Sequence, residues 1–90
     1  MTVALRRAWA RDLDAQTLYA LLALRVEVFV VEQSCPCPEL DGRDLETRTR
    51  HFWLEKPGGE VISVLRLLED DAGGETGFRI GRVCTRASER

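Results

Sequence analysis

Lysine is nearly missing from this chain: twelve arginines stand against one lysine, Lys56. Histidine and tyrosine occur once each and proline three times. No stretch approaches the roughly 20 consecutive apolar residues of a bilayer-spanning helix, so these residues hold no such helix. The opening MTVALRRAWARDLD lacks the apolar run and small-residue cleavage site of a secretory leader, and a cytoplasmic location is the expectation. Charge of one sign is not in excess, since 13 basic and 15 acidic residues leave a formal −2. That balance supplies no general attraction to nucleic acid or an anionic membrane, and neither is expected as a partner. Cysteine is sparse and odd in number, and at the two-residue spacing of Cys35 and Cys37 a bridge would be strained. Reduced thiols are the expectation.

Ninety residues that are 44% apolar and 31% charged make one small domain. A chain of this size buries about 60–65% of its unfolded surface, enough for one modest core. Its charge is unevenly placed. Residues 79–90 hold Arg79, Arg82, Arg86 and Arg90 against Glu89, a net +3, while the first 78 residues sum to −5. A local anion site on an acidic body fits that pattern.

Val3, Leu5 and Trp9 alternate and predict a strand over residues 3–9. Asp12 or Asp14 can cap the helix that follows, because a short carboxylate accepts from free amides at a helix start. The helix is predicted from Ala15 to Phe29, with Leu18, Leu21, Leu22, Arg25, Val28 and Phe29 as an amphipathic stripe holding one arginine. Residues 34–50, SCPCPELDGRDLETRTR, read as a long linker with a turn at Asp41-Gly42 and a short helical turn near Asp44–Arg48. Pro36 and Pro38 keep Cys35 and Cys37 extended. A linker of this length is usually functional or mobile.

HFWLE at 51–55 and EVISVLRLLE at 60–69 flank the turn KPGG and predict an antiparallel hairpin. The second run is apolar on both faces, as in a strand covered on both sides. DDAGGETG at 70–77 reads as a polar loop. FRIGRVCT at 78–85 reads as the last strand, with Phe78, Ile80 and Val83 buried and Gly81 marking a bulge or close backbone approach. The tail RASER simply stops. The order β, α, long loop, β, β, β gives an α+β class, a helix on a mainly antiparallel sheet.

Three stretches, LYALLALRVEVFVVEQSCPCPELDGRD (18–44), RHFWLE (50–55) and GRVCTRASER (81–90), together resemble the ElaA-type branch of the GNAT superfamily of N-acetyltransferases. The resemblance runs from Leu13 to Arg90 and implies the N-terminal part of a GNAT, or acyl-CoA N-acyltransferase, fold. It implies transfer of an acetyl group from acetyl-CoA to a small-molecule or peptide amine by direct attack, with no metal. In that family main-chain groups matching Val83, Cys84 and Thr85 bind the pantetheine arm and acetyl group. Arg90 matches the start of the loop whose amides hold the coenzyme A pyrophosphate. The rest of that loop, and the later elements with the usual Tyr general acid, have no counterpart in these residues. A chain truncated there is expected to be inactive alone. The second expectation is a non-catalytic interaction module that self-associates through an exposed sheet edge after residue 85.

Glu32, on the amine side by this resemblance, is the candidate proton-path carboxylate; otherwise it is a locally paired helix-end group. Arg25, inside an apolar stripe, needs a partner. It is either a structural ion pair with Glu32, Glu39 or Asp41, or a substrate-side residue shaping the amine pocket. Asp41, Gly42 and Asp44 read as turn and capping residues, and His51 as a surface or half-buried structural histidine rather than a general base. Cys84 lines the site and is not a needed nucleophile. Arg79, Arg82, Arg86 and Arg90 are a solvated strand face or, preferably, the positive rim of the phosphate site. Cys35, Cys37, Cys84 and His51 add up to four zinc-type ligands, but zinc favours about two to four residues between paired cysteines, and an extended C-x-C points its sulfurs to opposite sides.

Overall fold

The computed structural model describes residues 2–72 and 74–90. Four strands, β1 (Ala4–Trp9), β2 (Arg50–Glu55), β3 (Val61–Ala72) and β4 (Glu75–Thr85), form one antiparallel sheet in the order β1-β2-β3-β4. One helix, α1 (Ala15–Arg25), packs on it. The expected α+β layering is present.

Asp14 caps α1 by accepting from the Thr17 amide at 2.6 Å. Past Arg25 the helix widens over Val26–Glu32. There the Gln33 amide reaches the Val28 carbonyl and the Cys35 amide the Val30 carbonyl, each bond spanning five residues. The predicted end at Phe29 therefore falls three residues short. Such widened turns recur at functional sites. Here the turn carries Glu32 to the end of β4.

Leu21, Leu24 and Val28 bury against Trp53, Val61, Val64 and Cys84. Burying each such aliphatic side chain contributes roughly 1.5–3 kcal/mol. Leu24, not Leu22, lies at the centre of the buried stripe. No helix among the described residues is long and apolar enough to cross a membrane.

The register sets what each face carries. Ala8, His51 and Arg66 are cross-strand neighbours on the helix side, as are Trp53, Val64 and Cys84. Leu5 and Leu54, Phe52 and Leu65, and Leu67 and Ile80 pair on the opposite side. That side is open. Phe78 is 69% exposed, Ile80 63% and Val83 58%, so the expectation that they are buried is corrected. α1 covers the other face.

Residues 70–77 are also corrected. Asp70 pairs with Gly77, Asp71 with Thr76 and Ala72 with Glu75, so strand pairing runs almost to the turn. Gly74, at φ +86°, allows a connection short enough to keep the register; Gly73 lies outside the described residues. The tail does not simply stop either, because Ala87–Glu89 forms a tight turn folded against Lys56.

Candidate functional site

β4 is irregular where the resemblance places the acyl-CoA contacts. Val64 pairs with Cys84 but Arg66 with Gly81, leaving Arg82 and Val83 opposite the single residue Leu65. This is a β-bulge, as Gly81 signalled, but Gly81 does not adopt the left-handed backbone. Arg82 does, at φ +54°. A bulge of this kind favours glycine at that position. For another residue the left-handed conformation costs roughly 1–2 kcal/mol.

Val83, the second bulged residue, is exposed, and Cys84 beyond it is buried. Burial pushes the Cys84 thiol up to about 11, so it is protonated at neutral pH and inert as a nucleophile. Ser63 Oγ donates to the Cys84 carbonyl at 3.0 Å and lies 2.9 Å from Thr85 Oγ1. These bonds hold the strand end on β3.

Arg90 joins the tail to the widened helical turn. Its Nη2 donates to Glu32 Oε2 at 2.8 Å and its Nε to the Thr85 carbonyl at 2.9 Å. Glu32, Thr85 and Arg90, separate candidates in sequence, thus form one cluster. The Arg90 hydrogen bond holds the Glu32 carboxyl below its usual range. The remaining arginines of the segment are also paired: Arg79 with Asp70, Arg82 with Glu39, and Arg86 with Glu27 and Glu60.

Arg25 lies elsewhere. It is 1% exposed, and its Nε donates to Glu39 Oε2 at 2.8 Å while Nη1 donates to Asp44. Arg66 donates to Asp41 Oδ2 at 2.6 Å and to Asp44 Oδ1 at 3.1 Å. Arg82 Nε meets the same Glu39 Oε2 at 2.7 Å. Three guanidiniums from α1, β3 and β4 therefore grip three carboxylates of the long linker. The linker expected to be mobile or functional is strapped to the sheet. Burial works to raise the Asp44 carboxyl, but the Arg25 and Arg66 guanidiniums outweigh it and hold it low. The Arg66 hydrogen bond holds Asp41 well below the usual carboxylate range.

Asp41 also accepts from the Arg43 amide at 3.0 Å and so makes the expected turn, with Gly42 left-handed at φ +82°. The short helical turn forms at Arg43–Leu45. Asp44 caps nothing; it is an ion-pair residue. His51 is structural as expected but fully buried rather than half-buried or at the surface, with Nε2 3.0 Å from the Asp44 carbonyl. Burial lowers its pKa and keeps it neutral. Sequence reasoning missed Arg66 as a cluster member, although a lone charge on an apolar face of a strand was the available signal.

A groove of about 460 Å³ opens between the linker and the bulge, lined by Phe29, Gln33, Cys35, Cys37, Arg82 and Val83 among others. The Cys35 and Cys37 side chains converge there, against the expectation that they point apart. Their Cα atoms are 5.3 Å apart. Two extended residues would span about 6.6–7.2 Å. The backbone therefore bends at Pro36, and the sulfurs fall on one side. Among the described residues no group of three or more His, Cys, Asp or Glu side chains is arranged to hold a metal ion.

No protein-family model matches the chain. Its fold is that of the acyl-CoA N-acyltransferases. It superposes on the crystal structure of an acyl-CoA N-acyltransferase from Pseudomonas aeruginosa with a TM-score of 0.88 at 42% identity, covering 99% of this chain and 60% of that one. Within that class its sequence is similar to ElaA. The crystal structure of Escherichia coli ElaA gives a TM-score of 0.88 at 37% identity, over 97% of this chain and 57% of that one. A UPF0039 protein of Mycobacterium tuberculosis is 70% identical over all 90 residues, which make up 58% of its length. The chain thus spans little more than half the length of the curated relatives it matches first.

Proposed function

We propose that this protein serves acyl-CoA-dependent N-acylation, with acetyl-CoA as donor and a primary amine as acceptor. The observation that carries the reading is the bulge in β4. It opens a groove beside Val83 at the strand end where the family holds its acyl donor, and Glu32 and Arg90 flank that end. The likeness to an acyl-CoA N-acyltransferase over 99% of the chain supports it.

In this reading main-chain groups of Val83, Cys84 and Thr85 align the thioester. The amine nitrogen attacks the carbonyl carbon, the C–S bond breaks and coenzyme A leaves as the thiol. Cys84 takes no covalent part, since its buried thiol stays protonated. Glu32 is the proton-path carboxylate. While Arg90 grips it, it is a weak base, because hydrogen bonding to the charged form lowers proton affinity. A coenzyme A phosphate that draws Arg90 away would restore its basicity. Arg25 touches no substrate; it shapes the amine side through Glu39.

The test is a melting curve of this chain with and without acetyl-CoA; chromatographic detection of free coenzyme A with an amine panel belongs to a chain of the relatives' full length, since these residues alone are expected to be inactive. A concentration-dependent rise in Tm supports the reading, because a ligand that binds only the folded state stabilises it. An unchanged Tm together with a discrete dimer would favour sheet-edge pairing instead.

A further inference from the structure

Arg82 occupies the one place in β4 where glycine would be cheaper, although Gly81 stands next to it in sequence. Bulges whose first residue is left-handed take glycine there because it has no Cβ to clash. The chain keeps an arginine at φ +54° instead. That residue's side chain is held on the linker: Nε donates to Glu39 Oε2 at 2.7 Å, and Nη2 donates to the Glu39 carbonyl at 3.3 Å and to Asp41 Oδ2 at 3.4 Å. Glu39 is buried, and the same Oε2 receives Arg25 from the end of α1 at 2.8 Å. One oxygen therefore ties the bulge to the helix and to the linker. Gly81 cannot be required for space, since a Cβ there would meet nothing within 4 Å.

We propose that Arg82 is a positioning residue whose ion pair with Glu39 locks the β4 bulge and so fixes the direction of the Val83 and Cys84 main chain at the groove. This deepens the acyl-CoA reading and rests on it for the ligand, but the locking itself can be tested without one. It predicts that the left-handed backbone alone does not suffice. Arg82→Asn keeps a residue that tolerates that backbone and removes the guanidinium. Arg82→Lys keeps the charge and loses the fork.

Amide hydrogen exchange over residues 81–86, with Trp53 and Val64 as internal references, reads the lock. Arg82→Asn should melt close to the wild type, yet exchange about tenfold faster at 81–86 with the reference amides unchanged. Coenzyme A should bind it about tenfold more weakly by titration. Arg82→Lys should recover a large part of both effects, which a loss of general stability would not produce. Wild-type exchange at 81–86 in Arg82→Asn overturns the proposal. Should that variant not fold, Arg82→Lys decides: raised exchange confined to 81–86 supports the lock, and wild-type exchange there overturns it. If exchange behaves as expected but the wild-type protein binds no coenzyme A, the positioning role stands and the acyl-CoA reading falls.

Discussion

One face of the sheet packs Trp53, Val64 and Cys84 under α1 and hides Arg66 and His51; the other carries Leu5, Phe78, Ile80 and Val83 exposed beside half-buried Phe52 and Leu65. The usual inside and outside are partly exchanged. Charges are buried on the first face because each guanidinium finds a carboxylate of the linker, and a satisfied ion pair can be sequestered where a lone charge cannot. Apolar groups are exposed on the second because, among the described residues, no element lies over them. Partner supply, more than residue type, decides what is hidden here.

The hardest way to break this comparison is to remove one charge from the buried side. Arg25→Met leaves Glu39 and Asp44 short of a partner beneath α1, and such losses cost about 3–5 kcal/mol. A 90-residue domain has only roughly 5–13 kcal/mol to lose. The variant is expected to melt far below the wild type by circular dichroism. A wild-type Tm would mean that the cluster is ornamental.

Acid attacks the same side more gently. His51 has a lowered folded pKa, so the folded state prefers the neutral ring, and stability present above the ordinary value of 6.5 is lost as pH falls towards the lowered value. Asp44 follows the same sign from its ordinary 3.8, as protonation removes its pairs with Arg25 and Arg66. Tm should therefore fall in two stages, the first beginning near pH 6.5 and the second below about pH 4. His51→Gln should abolish the first stage and spare the second. A single stage in the wild type would remove His51 from the account.

The exposed Glu32–Arg90 pair sharpens the contrast between buried and open charge. Arg90→Ala should leave Tm unchanged within error, because water replaces an exposed partner well. It should raise the Glu32 pKa towards its ordinary 4.5, since the bond that lowers it is gone. Carboxyl chemical shifts against pH read that change directly, and an unmoved titration would show that the pair does not form.

The elements were largely legible. Period-two and helical spacings located β2, β3 and α1 to within a few residues, and capping chemistry left Asp12 and Asp14, of which Asp14 is the cap. Which side of the sheet the helix covers was not legible, because alternation says which residues share a face and not what lies over it. Phe78, Ile80 and Val83 were misjudged for that reason. Residues 70–77 misled by composition: Asp and Gly read as a loop, although a short glycine turn lets pairing continue. Arg25 announced its need for a partner, and Glu39 was among the candidates. Asp44, Arg66 and Arg82 are not legible as cluster members in the sequence, because the contacts span 19–43 residues and depend on how the linker lies over α1, β3 and β4.

The smallest expected effect tests the open face. Phe78→Ser removes an aromatic ring that is already 69% exposed, so stability should change by no more than about 0.5 kcal/mol. Leu24→Ala, 1% exposed on the other side, should cost about 2–5 kcal/mol. The ratio measures how different the two faces are in solution. If Phe78→Ser cost as much as Leu24→Ala, the ring would have to be buried in solution, and covered by something. Repeating the melt across protein concentrations then separates the causes. A Tm that rises with concentration in the wild type and not in Phe78→Ser assigns the cover to a second copy, because only association makes Tm depend on concentration. A Tm independent of concentration places the cover within the chain itself.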